Sequence, residues 1–290
     1  MSFNLIKATD EWMCRKQFHL PRNKSFYPSE ASVKWTDMHG IERTAGACMR
    51  AVWYRLTGKG ISSGTSPYSE WIFALGKAVE EILVEQWKQM GILVANNVKF
   101  FDPERNISGE VDVVLKDPNT GKIFVGEVKS FYSYAATKQI CGNAQQVGQP
   151  KTSQLLQALI YTDLGRKLNL FDYVKLVYYA RDSANRAEFD ITLFDNKGDL
   201  YPVINGLTDH RFHMENIYER YSELAWHINK NIMPAQDYQS VWSSERVEQM
   251  NSINEVAKTT YAKWKKNPKS NPIGDWMCSY CNFFKQCANQ

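Results

Sequence analysis

Two apolar runs set close together constrain this chain more than any other feature. Residues 107–115 (ISGEVDVVL) and 122–130 (KIFVGEVKS) flank the stretch Asp117-Pro118-Asn119-Thr120-Gly121. Proline presets one turn dihedral, and asparagine and glycine tolerate the left-handed one. The flanking runs, rich in β-branched residues, therefore read as adjacent antiparallel strands. Side chains alternate faces along a strand. Val111, Val113 and Leu115 then point one way and Asp112 the other, while Glu127 and Lys129 share a face with Val128 turned away. Folding about the turn brings Asp112 level with residues 125–127.

Those charges admit two readings. A Glu-x-Lys pair on a strand is often a solvated surface pair, and Asp112 can simply face water. Yet Val111, Val113, Val114, Phe124, Val125 and Val128 make these central strands, and charge there is costly unless paired or bound to metal. Two carboxylates a few Å apart suit a hard divalent cation that keeps some of its water. Lys129 on the same face can orient the attacking water or offset charge developing on a phosphate. Ser108-Gly109, just before the aspartate, lets another backbone approach closely.

Around this hairpin the chain reads as α/β. Residues 44–57 look helical, ending at Gly58-Lys59-Gly60. Residues 69–91 form the clearest helix, with Ser69 as N-cap, Gly91 beyond its end, and Trp71, Ile72, Leu75, Val79, Ile82, Leu83, Trp87 and Met90 at helical spacing. Glu80 lies on the flank of that stripe, one turn after Gly76, better placed than Glu81 to lean toward Asp112; a solvated boundary glutamate is the equal alternative. A strand at 92–101 precedes the hairpin. After it come a glycine- and glutamine-rich linker (141–150), a helix at 152–168, and strands at 172–181 and 187–194. Residues 1–43 show little periodicity and read as an irregular or short-helical extension. The remainder looks helical to about residue 266. From 69 to 181 the order is helix, strand, strand, strand, helix, strand.

With 290 residues, 43% of them hydrophobic, and only 16 Gly and 10 Pro, the chain is neither disordered nor collagen-like. A chain this long needs no staples to be stable. No apolar run of about 20 residues offers a membrane span. The start, MSFNLIKATDEWMCRK, has no apolar core like that of a secretion signal, so a cytoplasmic protein is expected, or one in the host cytoplasm if viral. The net charge of +4 permits nucleic acid as a partner without demanding it.

Gly109-Glu110-Val111-Asp112, then Glu127-Val128-Lys129, then Gln157-Ala158-Leu159-Ile160-Tyr161 together resemble the PD-(D/E)XK nuclease superfamily, in its RecB-like branch. The resemblance implies that superfamily's core, with added helices, and Mg²⁺- or Mn²⁺-dependent cleavage of DNA. Carried over by position, Asp112 and Glu127 are metal ligands, the Val128 carbonyl is a further ligand, and Lys129 is the catalytic lysine. Gln157 and Tyr161, four apart on one helical face, are the substrate-facing pair. One departure is plain: where many members carry histidine in a G-x-x-x-H setting, Gly76 is followed by Glu80. Glutamate also binds metal, so Glu80 stands as catalytic residue and ligand, and the change touches metal number and preference.

Cys278, Cys281 and Cys287 put three thiols within ten residues, and Cys48 is a remote fourth. Four thiolates select zinc or an iron–sulfur cluster. One remote cysteine plus a terminal trio is unusual for zinc. The layout resembles the iron–sulfur nucleases of the same branch, which include the CRISPR-associated adaptation exonuclease, AddB-type nuclease domains and viral relatives. That resemblance implies a 4Fe–4S cluster on Cys48, Cys278, Cys281 and Cys287. It clasps a nuclease domain spanning roughly residues 44–290, with 1–43 as an N-terminal extension. Cys14 and Cys141 match nothing in the pattern.

Residues 258–269 (KTTYAKWKKNPK) interleave lysines with Tyr261 and Trp264. They are either a solvated helix face or a DNA-guiding surface, with Lys263 and Trp264 as candidate contacts. The leading expectation is a single-stranded DNA exonuclease with room for endonuclease action, in DNA processing, recombination or CRISPR adaptation. A catalytically silent DNA-binding or assembly module of a nuclease complex is the alternative, and RNA processing a third class. The sequence has no helicase P-loop, so unwinding would fall to a helicase partner; CRISPR adaptation proteins are the other expected partners, and no membrane is.

Overall fold

The computed structural model describes residues 5–15, 24–64, 66–171 and 173–289. In chain order, α1 (Leu5–Arg15) precedes a 3-10 turn (Pro28–Glu30), the hairpin β1 (Ser32–Thr36) and β2 (Glu42–Gly46), and α2 (Met49–Thr57). Next come α3 (Pro67–Gln89), β3 (Leu93–Asp102), β4 (Ile107–Lys116), β5 (Ile123–Phe131) and α4 (Tyr134–Cys141). A small hairpin, β6 (Gly142–Asn143) and β7 (Gln146–Val147), leads to α5 (Thr152–Leu168). Then follow β8 (Tyr173–Ala180), β9 (Arg186–Asn196), β10 (Asp199–Ile204) and β11 (Leu207–Thr208). The chain ends with α6 (Met214–Lys230), α7 (Ser244–Ser252), α8 (Lys258–Lys266), α9 (Trp276–Ser279) and α10 (Phe284–Cys287). Two compact units result: the described residues of 1–47 and 65–226 form one, and those of 48–64 and 227–290 the other.

The first unit is a mixed α/β fold. Its main sheet has seven strands in the order β11-β10-β9-β8-β5-β4-β3. Neighbours are antiparallel except β5 and β8, which run parallel. Parallel neighbours need a crossover, and α5 lies within it. Lys151 precedes α5, and Asn169, with φ 51°, ends it in the left-handed region. Leu155, Leu156, Leu159, Ile160 and Tyr161 of α5 are buried. So are Val174, Leu176, Tyr178, Phe189 and Ile191, which alternate along β8 and β9, the strands α5 packs against. The other face carries Val113, Leu115 and Phe124, packed by Val84 and Trp87 of α3.

Several expectations need correction. Residues 1–43 hold a helix and most of the β1–β2 hairpin, while 1–4 and 16–23 lie outside the described residues. The helix expected from residue 44 begins at Met49, because β2 runs to Gly46. α3 is capped by Ser66, whose Oγ accepts from Ser69 N at 3.1 Å, with Pro67 in the first turn. Of its expected apolar stripe only Leu83 is fully buried; Trp71, Leu75, Ile82 and Met90 are exposed. The helix instead lies close to the sheet at Gly76, where an added Cβ would come within 3.2 Å of Ser130 Oγ. The stretch after residue 194 is not all helix, since β10 and β11 extend the sheet first.

In the second unit, the loop after α2 is fastened to the C-terminal residues. Ser63 N donates to Asn282 O at 2.8 Å, and Ile61 N to Gln286 Oε1 at 2.7 Å. Gly60 must be glycine, because a Cβ there would meet the Phe283 ring at 2.5 Å. Trp264 of α8 and Val247 and Met250 of α7 are buried. Among the described residues, no helix is long and apolar enough to cross a membrane.

Candidate functional site

The β4–β5 ladder pairs Lys116 with Ile123, Leu115 with Phe124, Val114 with Val125 and Val113 with Gly126, and stops there. A Cβ on Gly126 would press to 2.8 Å on Val113, so glycine lets the strands close at that last pair. One residue further, backbone pairing gives way to a side chain: Val128 N donates to Asp112 Oδ2 at 2.8 Å. The two acids therefore flank the point where the strands part.

Glu127 is 1% exposed. Its Oε1 receives Lys129 Nζ at 2.5 Å and Gln157 Nε2 at 2.7 Å. Its Oε2 is buried and has no hydrogen-bond partner. Gln157 Nε2 also donates to the Tyr161 hydroxyl at 3.0 Å, which donates to the Glu110 carbonyl at 3.0 Å. The pair expected to face the substrate instead orients Glu127 and ties α5 to β4, and for Tyr161 the expectation is corrected: it is 2% exposed, its hydroxyl spent on the Glu110 carbonyl.

Charge at this point is strained. Burial pushes the Asp112 carboxyl up to about 7, and the Glu127 carboxylate adds to the shift against the Lys129 ammonium and the Val128 N–H. Burial likewise raises Glu127, with Lys129 opposing and Glu80 adding. Burial works against the Lys129 charge, but Glu127 and Asp112 outweigh it and raise the ammonium's pKa. Glu80 of α3 adds a smaller electrostatic contribution at Asp112, Glu127 and Lys129. Its carboxylate is held by Lys77. Lys77 escaped the sequence reading. Its signal was the i, i+3 spacing to Glu80, and its pKa is raised by that hydrogen bond despite partial burial.

As the side chains lie, no group of three or more His, Cys, Asp or Glu among the described residues is gathered tightly enough to hold a metal ion. The chemistry of the donor set still fits one. A buried carboxylate oxygen without a partner, beside a second acid whose ionisation is suppressed, is what a divalent cation relieves. Asp112, Glu127 and the Val128 carbonyl are the oxygens at hand, and Glu80 joins them if it leaves Lys77.

The second unit holds the thiols. Cys48 is the N-cap of α2. Cys281 N donates to Cys278 O at 3.2 Å, Phe284 N to Cys281 O at 3.0 Å, and Cys287 N to Phe283 O at 3.0 Å. Cys278, Cys281 and Cys287 thus follow one another through successive tight turns. Cys48, Cys278, Cys281 and Cys287 line a single cavity, with Tyr54, Met277 and Phe283 among its apolar walls. It offers ≈ 40 Å³ to the centre of a water-sized sphere, against roughly 10–15 Å³ for one water. Gln236 Nε2 donates to Cys287 Sγ at 3.2 Å, and Arg50 Nη1 lies 3.7 Å from the same sulfur. Burial, then Asp275 and the other three thiols, pushes Cys278 up to about 11. Soft sulfur donors are the type that zinc and iron–sulfur clusters take. Cys14 and Cys141 do not line it.

On α8, Lys263 is exposed and Trp264 is not, at 8%. Tyr261 stacks on Trp264 with centroids 5.7 Å apart and donates to Glu248 Oε2 at 2.6 Å. The expectation that Trp264 stacks on DNA is corrected: its ring fills the second unit's core.

No family model and no curated protein matches the chain. A solved structure described as "Crystal structure of SSO0001" is similar to it at 15% identity and a TM-score of 0.45, covering 98% of this chain and 96% of that one. The likeness is too distant to carry an argument about function.

Proposed function

We propose that the protein is a divalent-metal-dependent deoxyribonuclease that hydrolyses phosphodiester bonds at single-stranded DNA ends. On this reading the helices and strands around β4 and β5 are a PD-(D/E)XK core. The observation that carries it is the Glu127 carboxylate, wholly buried yet with Oε2 unpartnered, set between Lys129 and the protonation-prone Asp112.

When bound, Mg²⁺ or Mn²⁺ supplies Lewis acidity to the phosphate and lowers the pKa of its water. Asp112 and Glu127 would hold it, with the Val128 carbonyl as a third donor and Glu80 as a further one. Gln157 fixes the Glu127 rotamer through Oε1, which keeps Oε2 for the metal. The Lys129 ammonium, kept charged by its two acidic neighbours, stands where it can orient the nucleophilic water and offset charge growing on the phosphate. The four lining cysteines would hold a 4Fe–4S cluster. Its part is structural, because phosphodiester hydrolysis transfers no electrons. Lys263, exposed on α8, is a candidate phosphate contact. DNA with free ends is the partner, with a helicase or CRISPR adaptation proteins supplying the strand.

The test is cleavage of labelled single-stranded DNA with Mg²⁺ or Mn²⁺. Wild type should cut, and Lys129→Ala should lose at least about a hundredfold in rate. A wild type silent with both metals would instead favour a DNA-binding module.

A further inference from the structure

A concavity in the first unit reaches along β4 to Glu110, two residues before Asp112. It spans ≈ 690 Å³ between residues 25–27 and strands β3 and β4, lined by Tyr27, Lys99, Phe100, Phe101, Ser108 and Glu110, among others. Phe101 is 55% exposed, although it lies within a regular ladder opposite Ser108. An exposed phenylalanine on a strand gains little for the fold, but its face is open to a planar ligand. Lys99, exposed and two residues away, shares its side of β3.

Two lining residues, Phe100 and Glu110, touch the side-chain network that ends on Glu127. The Phe100 ring meets Tyr161 edge-on at 5.5 Å and 90°. Tyr161 donates to the carbonyl of Glu110, itself a lining residue, and is linked through Gln157 to Glu127. A ligand in the groove is therefore two side chains from the carboxylate. Gly109 makes this possible: a Cβ there would collide with the Phe100 ring at 2.5 Å.

We infer that this groove seats one or two unpaired nucleotides next to the scissile phosphate, with a base on Phe101 and a phosphate at Lys99. The inference rests on the nuclease reading and adds the residues that would select its single-stranded substrate. Base faces are hidden in a duplex, so an aromatic platform selects unpaired strand without regard to sequence. Glu110 stands opposite Lys99 in the register. The two are therefore cross-strand neighbours on one face.

Fluorescence anisotropy of labelled oligothymidine, with Ca²⁺ to allow binding without turnover, tests this apart from cleavage. Phe101→Ala should weaken single-strand binding about tenfold and blunt duplex binding far less, and Phe101→Trp should restore it. Lys99→Ala should weaken binding and lower the salt slope by about one. DNA carrying 5-iododeoxyuridine should photocrosslink within residues 99–101. Equal losses for single strand and duplex, or crosslinks confined elsewhere, overturn the groove even where wild type cleaves. Crosslinks at this strand in a wild type that never cleaves would sink the nuclease reading and leave the groove standing.

Discussion

Both candidate sites concentrate groups that repel one another when ionised, but on different frameworks. Asp112, Glu127 and Lys129 stand on β4 and β5, strands of 10 and 9 residues within a seven-stranded sheet. The thiols stand on a helix cap, a turn and two four-residue helices. Helices that short do not sustain themselves. The carboxylate site is thus a cost that a strong scaffold carries and that the proposed metal would relieve. The thiol cavity is a local fold that the proposed cluster would complete. Removing the metal should leave the first standing and undo the second.

The largest expected effect follows from that contrast. Cys281→Ala should abolish bound iron and brown colour and sharply reduce solubility. In what remains soluble, hydrogen exchange across residues 276–289 should approach that of an unfolded chain while β4 and β5 keep their protection. A soluble, colourless variant with full protection there would break the comparison.

The carboxylates should behave in the opposite sense. Asp112 has a folded-state pKa of about 7 against an ordinary 3.8. Such a group favours the fold while protonated, so stability is greatest below pH ~4 from this term and is lost as pH rises through ~7. The shift corresponds to roughly 4 kcal/mol. Metal-free protein should therefore melt lower at pH 8 than at pH 5, and Mn²⁺ should reverse the loss. Asp112→Asn should melt higher than wild type at pH 8 without metal and respond little to Mn²⁺. An Asp112→Asn melting curve with the wild type's pH dependence would contradict this account.

A smaller effect sharpens the role of Glu80. The Lys77–Glu80 pair is partly exposed, and such pairs are worth about 0.2–1 kcal/mol. Lys77→Ala should therefore release Glu80 and raise Mn²⁺ affinity by no more than about fivefold. No change in calorimetric titration would confine Glu80 to an electrostatic neighbour.

The elements easiest to read in the sequence were those where several local signals agreed. α5 has a run of leucines at helical spacing and keeps its expected bounds, Thr152–Leu168. The β4–β5 hairpin has its turn chemistry, and with it came the placement of Asp112 beside Glu127. The β1–β2 hairpin was missed because Glu42–Gly46 carries no alternation, and the alternation of Ser32–Thr36 is only five residues long. β10 was missed because Pro202 interrupts it. The face of α3 was ambiguous because its apolar residues cover a wide arc. Periodicity cannot tell which part of such an arc meets the sheet, and the close approach at Gly76 decides it. Trp264 looked like a stacking residue because interleaved lysines resemble a nucleic-acid surface, whereas only packing reveals that its ring is buried.

The central claim is that Asp112 and Glu127 form one divalent-metal site, and electron paramagnetic resonance of Mn²⁺ titrated into the protein at pH 8 tests it most directly. Wild type should deplete the free-ion signal, and both Asp112→Asn and Glu127→Gln should leave it undiminished. Wild type that takes up no Mn²⁺, or variants that take it up as wild type does, would contradict it.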